Sequence, residues 1–149
     1  MMKYFAYSQK EFIYKYVVML SDIDQFKHMS FANYLKLMFL ATDALIVGAP
    51  NCRELMQRYR LKTYQTHMQF KNQTVFGDNI LIKVNASNIV EDRFNLLFTY
   101  VIEETGALVA LGKLQLGFVE QKRSIRIPDD IMFMLDPIKV EESNLVYKY

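Results

Sequence analysis

Apolar and polar positions alternate from Phe12 to Leu20. Phe12, Tyr14, Tyr16, Val18 and Leu20 share one face, which predicts a strand. The run from Ser21 to Ser30 breaks that periodicity and carries charge, so it reads as a loop, and Ser30 is a suitable N-cap for a helix beginning at Phe31. From Phe31 to Val47 the chain is apolar on nearly every side and contains few β-branched residues, before stopping at Gly48-Ala49-Pro50. This predicts a helix about 25 Å long, hydrophobic enough to be enclosed rather than laid on a surface. A short, more polar helical turn is expected at Cys52 to Arg58.

The rest of the pattern has period two. Tyr64, Thr66, Met68 and Phe70 alternate with Thr63, Gln65, His67 and Gln69. The turn Phe76-Gly77-Asp78-Asn79 leads into Ile80, Ile82, Val84 and Ala86, and Glu91-Asp92-Arg93 leads into Phe94, Leu96, Phe98, Tyr100 and Ile102. Glu104-Thr105-Gly106 makes a hairpin turn into a long strand from Ala107 to Glu120. Beyond Pro128 the tail reads as irregular, with a short apolar patch at Ile131 to Leu135. One strand, one helix and four consecutive strands define an α+β plan in which a curved antiparallel sheet wraps a single helix. Such a unit leaves a sheet edge free, and edge-to-edge pairing would close it, so a homodimer or a dimer of dimers is expected.

Composition narrows the class. A chain of 149 residues suits one domain spanning residues 1–149, and 52% hydrophobic against 23% charged residues is a globular balance. A net charge of +2 gives no argument for nucleic acid. Cys52 is the only cysteine, so no internal disulfide can form; with no charged-then-apolar leader, a reduced, cytoplasmic setting is the expectation. The most apolar stretch, Leu35 to Ala49, is interrupted by Lys36 and Asp43 and falls short of the roughly 20 residues that a membrane span needs.

Ionisable groups, a histidine and a helix start converge only in the loop before the helix. Asp22 and Asp24 lie there, His28 comes next and Phe31 opens the helix. Unpaired N–H groups of a helix's first turn carry about half a positive charge between them and can hold a developing oxyanion. A nearby carboxylate could then attack a thioester carbon or activate water. The same residues also fit a plain capped helix whose acidic neighbours favour its dipole, and the physics alone leans that way.

The run Asp24-Gln25-Phe26-Lys27-His28 through Tyr34 resembles the loop and helix start of 4-hydroxybenzoyl-CoA thioesterase-like hotdog proteins. The closest likeness is to bacterial long-chain acyl-CoA thioesterases and plant acyl-carrier-protein thioesterases. Their loop runs Asp, three variable residues, His, five variable residues and Tyr, a register matched by Asp24, His28 and Tyr34. Weaker likeness continues through the helix, Phe70-Lys71 to Phe76-Gly77-Asp78, Leu116 to Gln121 and Arg126-Ile127-Pro128. The resemblance implies a hotdog fold and a thioester hydrolase with Asp24 as nucleophile or general base and the Phe31 N–H facing the thioester oxygen. It implies packing and hydrogen-bonding roles at the substrate for His28 and Tyr34, a loop-shaping role for Asp22, and no cofactor beyond coenzyme A as part of the substrate. Two departures bear on substrate rather than fold. Relatives carry Glu and Arg in the helix where this chain has Phe39-Leu40-Ala41-Thr42, and Lys27 stands where Gly is usual before the histidine.

Other charged residues are lesser candidates. Lys71 and the group Lys122, Arg123 and Arg126 have the chemistry to meet coenzyme A phosphates, Lys71 and Arg123 above all. Asp43 is out of place in an apolar helix and is a second-rank site residue, whereas His67 falls on the polar face of its strand. Two distant histidines and one cysteine make no metal set, and no Gly-rich phosphate loop or Gly-x-Ser-x-Gly elbow is present. Two alternatives stand beside acyl-CoA hydrolysis. One is release of a carrier-bound polyketide-type product, whose enzymes share the Phe-Ala-x-Tyr-Leu helix start but tend to lack the loop carboxylate. The other is a non-catalytic acyl-binding dimer.

Overall fold

The computed structural model describes residues 11–149; the N-terminal stretch considered for a leader lies almost wholly outside them. In chain order the elements are β1 (Phe12–Val17), α1 (Phe31–Val47), α2 (Cys52–Arg58), β2 (Arg60–Phe70), β3 (Asn79–Ser87), β4 (Phe94–Ile102), β5 (Leu108–Glu120), β6 (Arg123–Ile125) and α3 (Asp129–Leu135). The sheet is antiparallel in the order β1-β3-β4-β5-β2, with β6 added to the end of β5. It curls around α1 to give the hotdog architecture.

Helix α1 has the bounds that its apolar run predicts. Its inner stripe, Tyr34, Leu37, Met38, Ala41, Thr42, Leu45 and Ile46, is buried at helical spacing. It packs on the inward residues of β3 (Ile80, Ile82, Val84, Ala86), β4 (Phe94, Leu96, Phe98, Tyr100) and β5 (Ala110, Leu114, Leu116, Phe118). Gly112 permits the closest approach: a Cβ there would lie 2.6 Å from Met38 Sδ. The expectation of a fully enclosed helix needs correction, because a single chain covers one face only. Phe31, Leu35, Phe39 and Val47 stay exposed on the other face, as does Asp43. One half-barrel has no second layer with which to cover them.

Two further expectations are revised. The first strand ends at Val17, not Leu20. Val18 is fully buried, but Leu20–Asp22 turns as a 3-10 helix that leaves Leu20 exposed. The chain after Pro128 is not irregular. Helix α3 closes one end of the core with Ile131 and Leu135, and residues 136–149 then run across the outer face of the sheet as a strap. The strap explains why eight of the nine β4 residues are buried, polar Asn95 and Thr99 among them. Phe94, Leu96, Phe98 and Tyr100 face α1, while the strap meets Asn95 through Glu142 and Thr99 through the Tyr149 hydroxyl.

Glu142 fastens the strap. Its carboxylate accepts hydrogen bonds from Ser87 (2.7 Å) and Lys113 (2.9 Å). Partial burial pushes its pKa up, but the Ser87 hydroxyl, the Lys113 ammonium and the Asn95 amide outweigh that and leave it below 4.5. A carboxyl held lower in the folded than in the unfolded state contributes stability that is complete above the unfolded value and is lost as pH falls through the folded one. Acid unfolding is therefore expected to lose a Glu142-dependent component below about pH 4.5, the ordinary carboxyl value. Denaturant titrations of wild type and Glu142→Gln at pH 7 and pH 3.5 check this: the difference between the two proteins should shrink at the lower pH.

Candidate active site

The loop before α1 is a small closed structure. Ile23 and Met29 form an antiparallel bridge. Between them the Asp24 N–H donates to the His28 carbonyl (2.9 Å) and the Lys27 N–H to the Asp24 carbonyl (3.0 Å). Closing so tight a turn puts Lys27 at φ +67°, in the left-handed region that costs a side-chain-bearing residue about 1–2 kcal/mol and Gly almost nothing. That geometry gives a physical reason for the Gly usual at this position. Asp22 shapes the loop entrance, where its Oδ2 accepts from the Tyr16 hydroxyl (2.7 Å) and the Met19 N–H (2.8 Å). Burial and this bond push the Tyr16 phenol up to about 12, which keeps it a donor.

Asp24 is exposed at the loop tip, and its Oδ1 accepts from the N–H groups of Phe26 (2.8 Å) and His28 (3.3 Å). The second oxygen has no partner among the described residues. Ser30 takes the cap position of α1 with extended backbone, but its hydroxyl makes no capping bond. The backbone N–H groups of Phe31 and Ala32 are therefore unclaimed by any described acceptor. The side chain of Phe31 stacks on Phe70 at the end of β2 (centroids 4.4 Å apart, planes 25° apart), and Tyr34 meets the Phe70 ring edge-on (centroids 5.4 Å apart).

These parts border one open cleft of about 1050 Å³. Asp24, His28, Phe31, Tyr34 and Lys71 all line it, together with Phe26, Met29, Phe70 and Asn72. Five of the six residues singled out from sequence are thus brought together. The sixth, Arg123, is not. It pairs with Glu120 at the far end of β5, whereas Phe70 pairs with Ala110, so roughly 33 Å of strand separates them. His67 is exposed on β2 and bonded to Gln69. Tyr34 lines the cleft from a nearly buried position: its hydroxyl shares a 2.7 Å hydrogen bond with the Thr74 hydroxyl, and burial raises its pKa. Sequence reading missed Thr74, Phe70 as a stacking partner, and Tyr100, whose hydroxyl donates to the Tyr34 carbonyl (2.6 Å). Thr74 sits in a polar stretch that reads as loop, and its partners lie 40 or more residues away, so no local signal marks it.

A curled antiparallel sheet wrapped around one helix is the hotdog fold. The chain belongs to the thioesterase-like superfamily, whose family model matches residues 18–135. It is a thioester hydrolase by that membership. A comparison with curated protein sequences finds no significant match. Several solved structures share the fold. The dynemicin thioesterase superposes with a TM-score of 0.82 at 17% identity, over 87% of this chain and 98% of that one. A 1,4-dihydroxy-2-naphthoyl-CoA thioesterase from Synechocystis gives 0.78 at 15%, over 85% and 96%. A Staphylococcus aureus protein solved in complex with CoA gives 0.78 at 20%, over 86% and 83%. At these identities the likeness is one of fold.

Proposed function

We propose that this chain is an acyl-CoA thioesterase acting on a hydrophobic, fatty acyl group. One observation carries the reading: a carboxylate pinned through one oxygen only shares a Phe-lined cleft with the uncapped start of α1. With the thioester oxygen at the Phe31 N–H, the negative charge that develops on attack meets donors already in place, where removing one typically costs about 3–4 kcal/mol. As general base, Asp24 takes a proton from water while the water oxygen bonds to the acyl carbon. The carbon–sulfur bond then breaks, and the thiolate recovers the proton as it leaves. As nucleophile, Asp24 attacks the acyl carbon, the carbon–sulfur bond breaks and the thiolate leaves; water then hydrolyses the acyl anhydride, giving back the Asp24 carboxylate and the free acid while a proton from the water goes to the thiolate. Phe26, Phe31 and Phe70 supply the apolar wall, and the finer likeness to long-chain enzymes fits such a wall. Lys71 lies where it can meet a phosphate. Hydrolysis of a chain-length series of acyl-CoAs tests the reading, and turnover of none of them would end it.

The chain is proposed to work as a dimer. Among the described residues, strand β2 ends the sheet with its eleven residues unpaired on one side, next to the exposed α1 face of Phe31, Leu35 and Phe39. Antiparallel pairing of β2 with a second copy would cover both, and would carry the partner's Arg123 end of the sheet towards this cleft. Arg123 would then meet substrate phosphates in trans. Sedimentation is expected to give twice the chain mass at micromolar concentration, and a monomer alone would contradict the pairing.

A second reading is release of a carrier-bound polyketide-type product. It draws on the fold shared with the dynemicin thioesterase, described with a bound polyene, and on the long open face from Phe31 to Phe39. Asp24 counts against it, since enzymes of that kind tend to lack this carboxylate. Activity on carrier-bound chains but not on CoA esters would favour it.

A further inference from the structure

We infer that Thr74 is a positioning residue that holds the Asp24 loop and the start of α1 at a fixed separation, an inference that rests on the thioester hydrolysis proposed above. Thr74 is fully buried and bonds to both elements at once. Its carbonyl accepts the Met29 N–H from the end of the Asp24 loop (3.0 Å), and its hydroxyl meets the Tyr34 hydroxyl on the first turn of α1 (2.7 Å). Tyr34 is in turn tied to the sheet, because Tyr100 on β4 donates to its carbonyl (2.6 Å).

The platform beneath Thr74 is itself anchored. The Val75 N–H donates to the Asp78 carboxylate (2.9 Å) and the Gly77 N–H to the Val18 carbonyl (2.9 Å); Gly77 makes this turn at φ +90°, which suits Gly alone. A core threonine needs only one partner for its hydroxyl, and a backbone carbonyl in its own element would serve. Here one residue instead ties the two elements that bear the carboxylate and the helix N–H groups. Those groups must meet the same carbonyl from two directions. An error of about 1 Å in such an arrangement can cost about 100-fold in rate.

Thr74→Val keeps the side-chain shape and removes the hydroxyl, whereas Thr74→Ser keeps the hydroxyl. On the acyl-CoA the wild type hydrolyses best, Thr74→Val is expected to lower kcat by about 10–100-fold with KM changed by less than about twofold; Thr74→Ser should stay near wild type. Amide hydrogen exchange gives a readout independent of activity. In Thr74→Val the N–H groups of Asp24, Lys27 and Met29 should exchange about tenfold faster, relative to β4 amides that report global opening. An unchanged kcat, or loop amides that speed up only in step with β4, would overturn the inference. A wild type that hydrolyses no thioester would remove the proposed function, and the exchange comparison would then decide by itself whether Thr74 sets the loop.

Discussion

Asp24→Asn is expected to lower kcat on acyl-CoA by about 100- to 10,000-fold, the range that a positioned proton acceptor typically contributes. The substitution separates chemistry from structure. Asparagine retains an oxygen that can accept from the Phe26 and His28 N–H groups, so the loop keeps the bonds that close it. It loses the charge, and its amide can neither take a proton from water nor attack the thioester carbon. Because Asp24 is exposed and its hydrogen bonds among the described residues stay within its own loop, the cost to stability should stay within about 0.5 kcal/mol. Asp22→Asn makes the contrast. It weakens the acceptor for the Tyr16 hydroxyl and the Met19 N–H, so it should act on folding first and on rate through folding. Steady-state kinetics together with thermal unfolding of both variants check the pair. Full activity in Asp24→Asn would remove the carboxylate from the mechanism and leave the helix start without its partner.

The contrast between Asp22 and Asp24 also marks how far sequence reading reaches. Both are loop aspartates two positions apart, and only the register with His28 and Tyr34 singles out Asp24. The structure adds the reason that they differ: Asp22 turns inward to Tyr16 while Asp24 borders the cleft. Local pattern serves well where one physical cause acts. The continuous apolar run and the Gly48-Ala49-Pro50 stop set α1 at Phe31–Val47, and inward apolar residues at every second position set β4 at Phe94–Ile102. It fails where burial comes from distant chain. Nothing near Asn95 or Thr99 announces that residues 142 and 149 will cover them. Nor does the sequence around Thr74 hint at Tyr34. The seven-residue helix α3 reads as irregular because so short a segment carries almost no periodicity. Arg123 is a site candidate on charge alone, and charge does not say at which end of a strand it falls.

Phe98→Ala is expected to destabilise the fold by about 3–5 kcal/mol, the usual cost of emptying a fully buried aromatic site. Phe98 is wholly inaccessible, lies opposite Gly112 in the sheet register, and belongs to the core cluster that holds α1 on the sheet. A domain of this size is stable by about 5–15 kcal/mol, so one such cavity removes a large share and should be plain in the urea midpoint. Gly112→Ala, at the position facing Phe98 in the register, tests the opposite defect by overfilling the core. Its Cβ would stand 2.6 Å from Met38 Sδ and 3.5 Å from Phe98 Cβ, so the thioether must move. Overpacking of this kind typically costs about 1–3 kcal/mol, less than the cavity because Met is flexible. The two defects press on α1 in different senses, one leaving space beside Met38 and the other pushing Met38 away from β5. Combined with Met38→Ala, Gly112→Ala should recover part of its own loss, since the added methyl would enter space that the thioether vacates. Strict additivity of those two changes would show that Gly112 does not set the seat of α1.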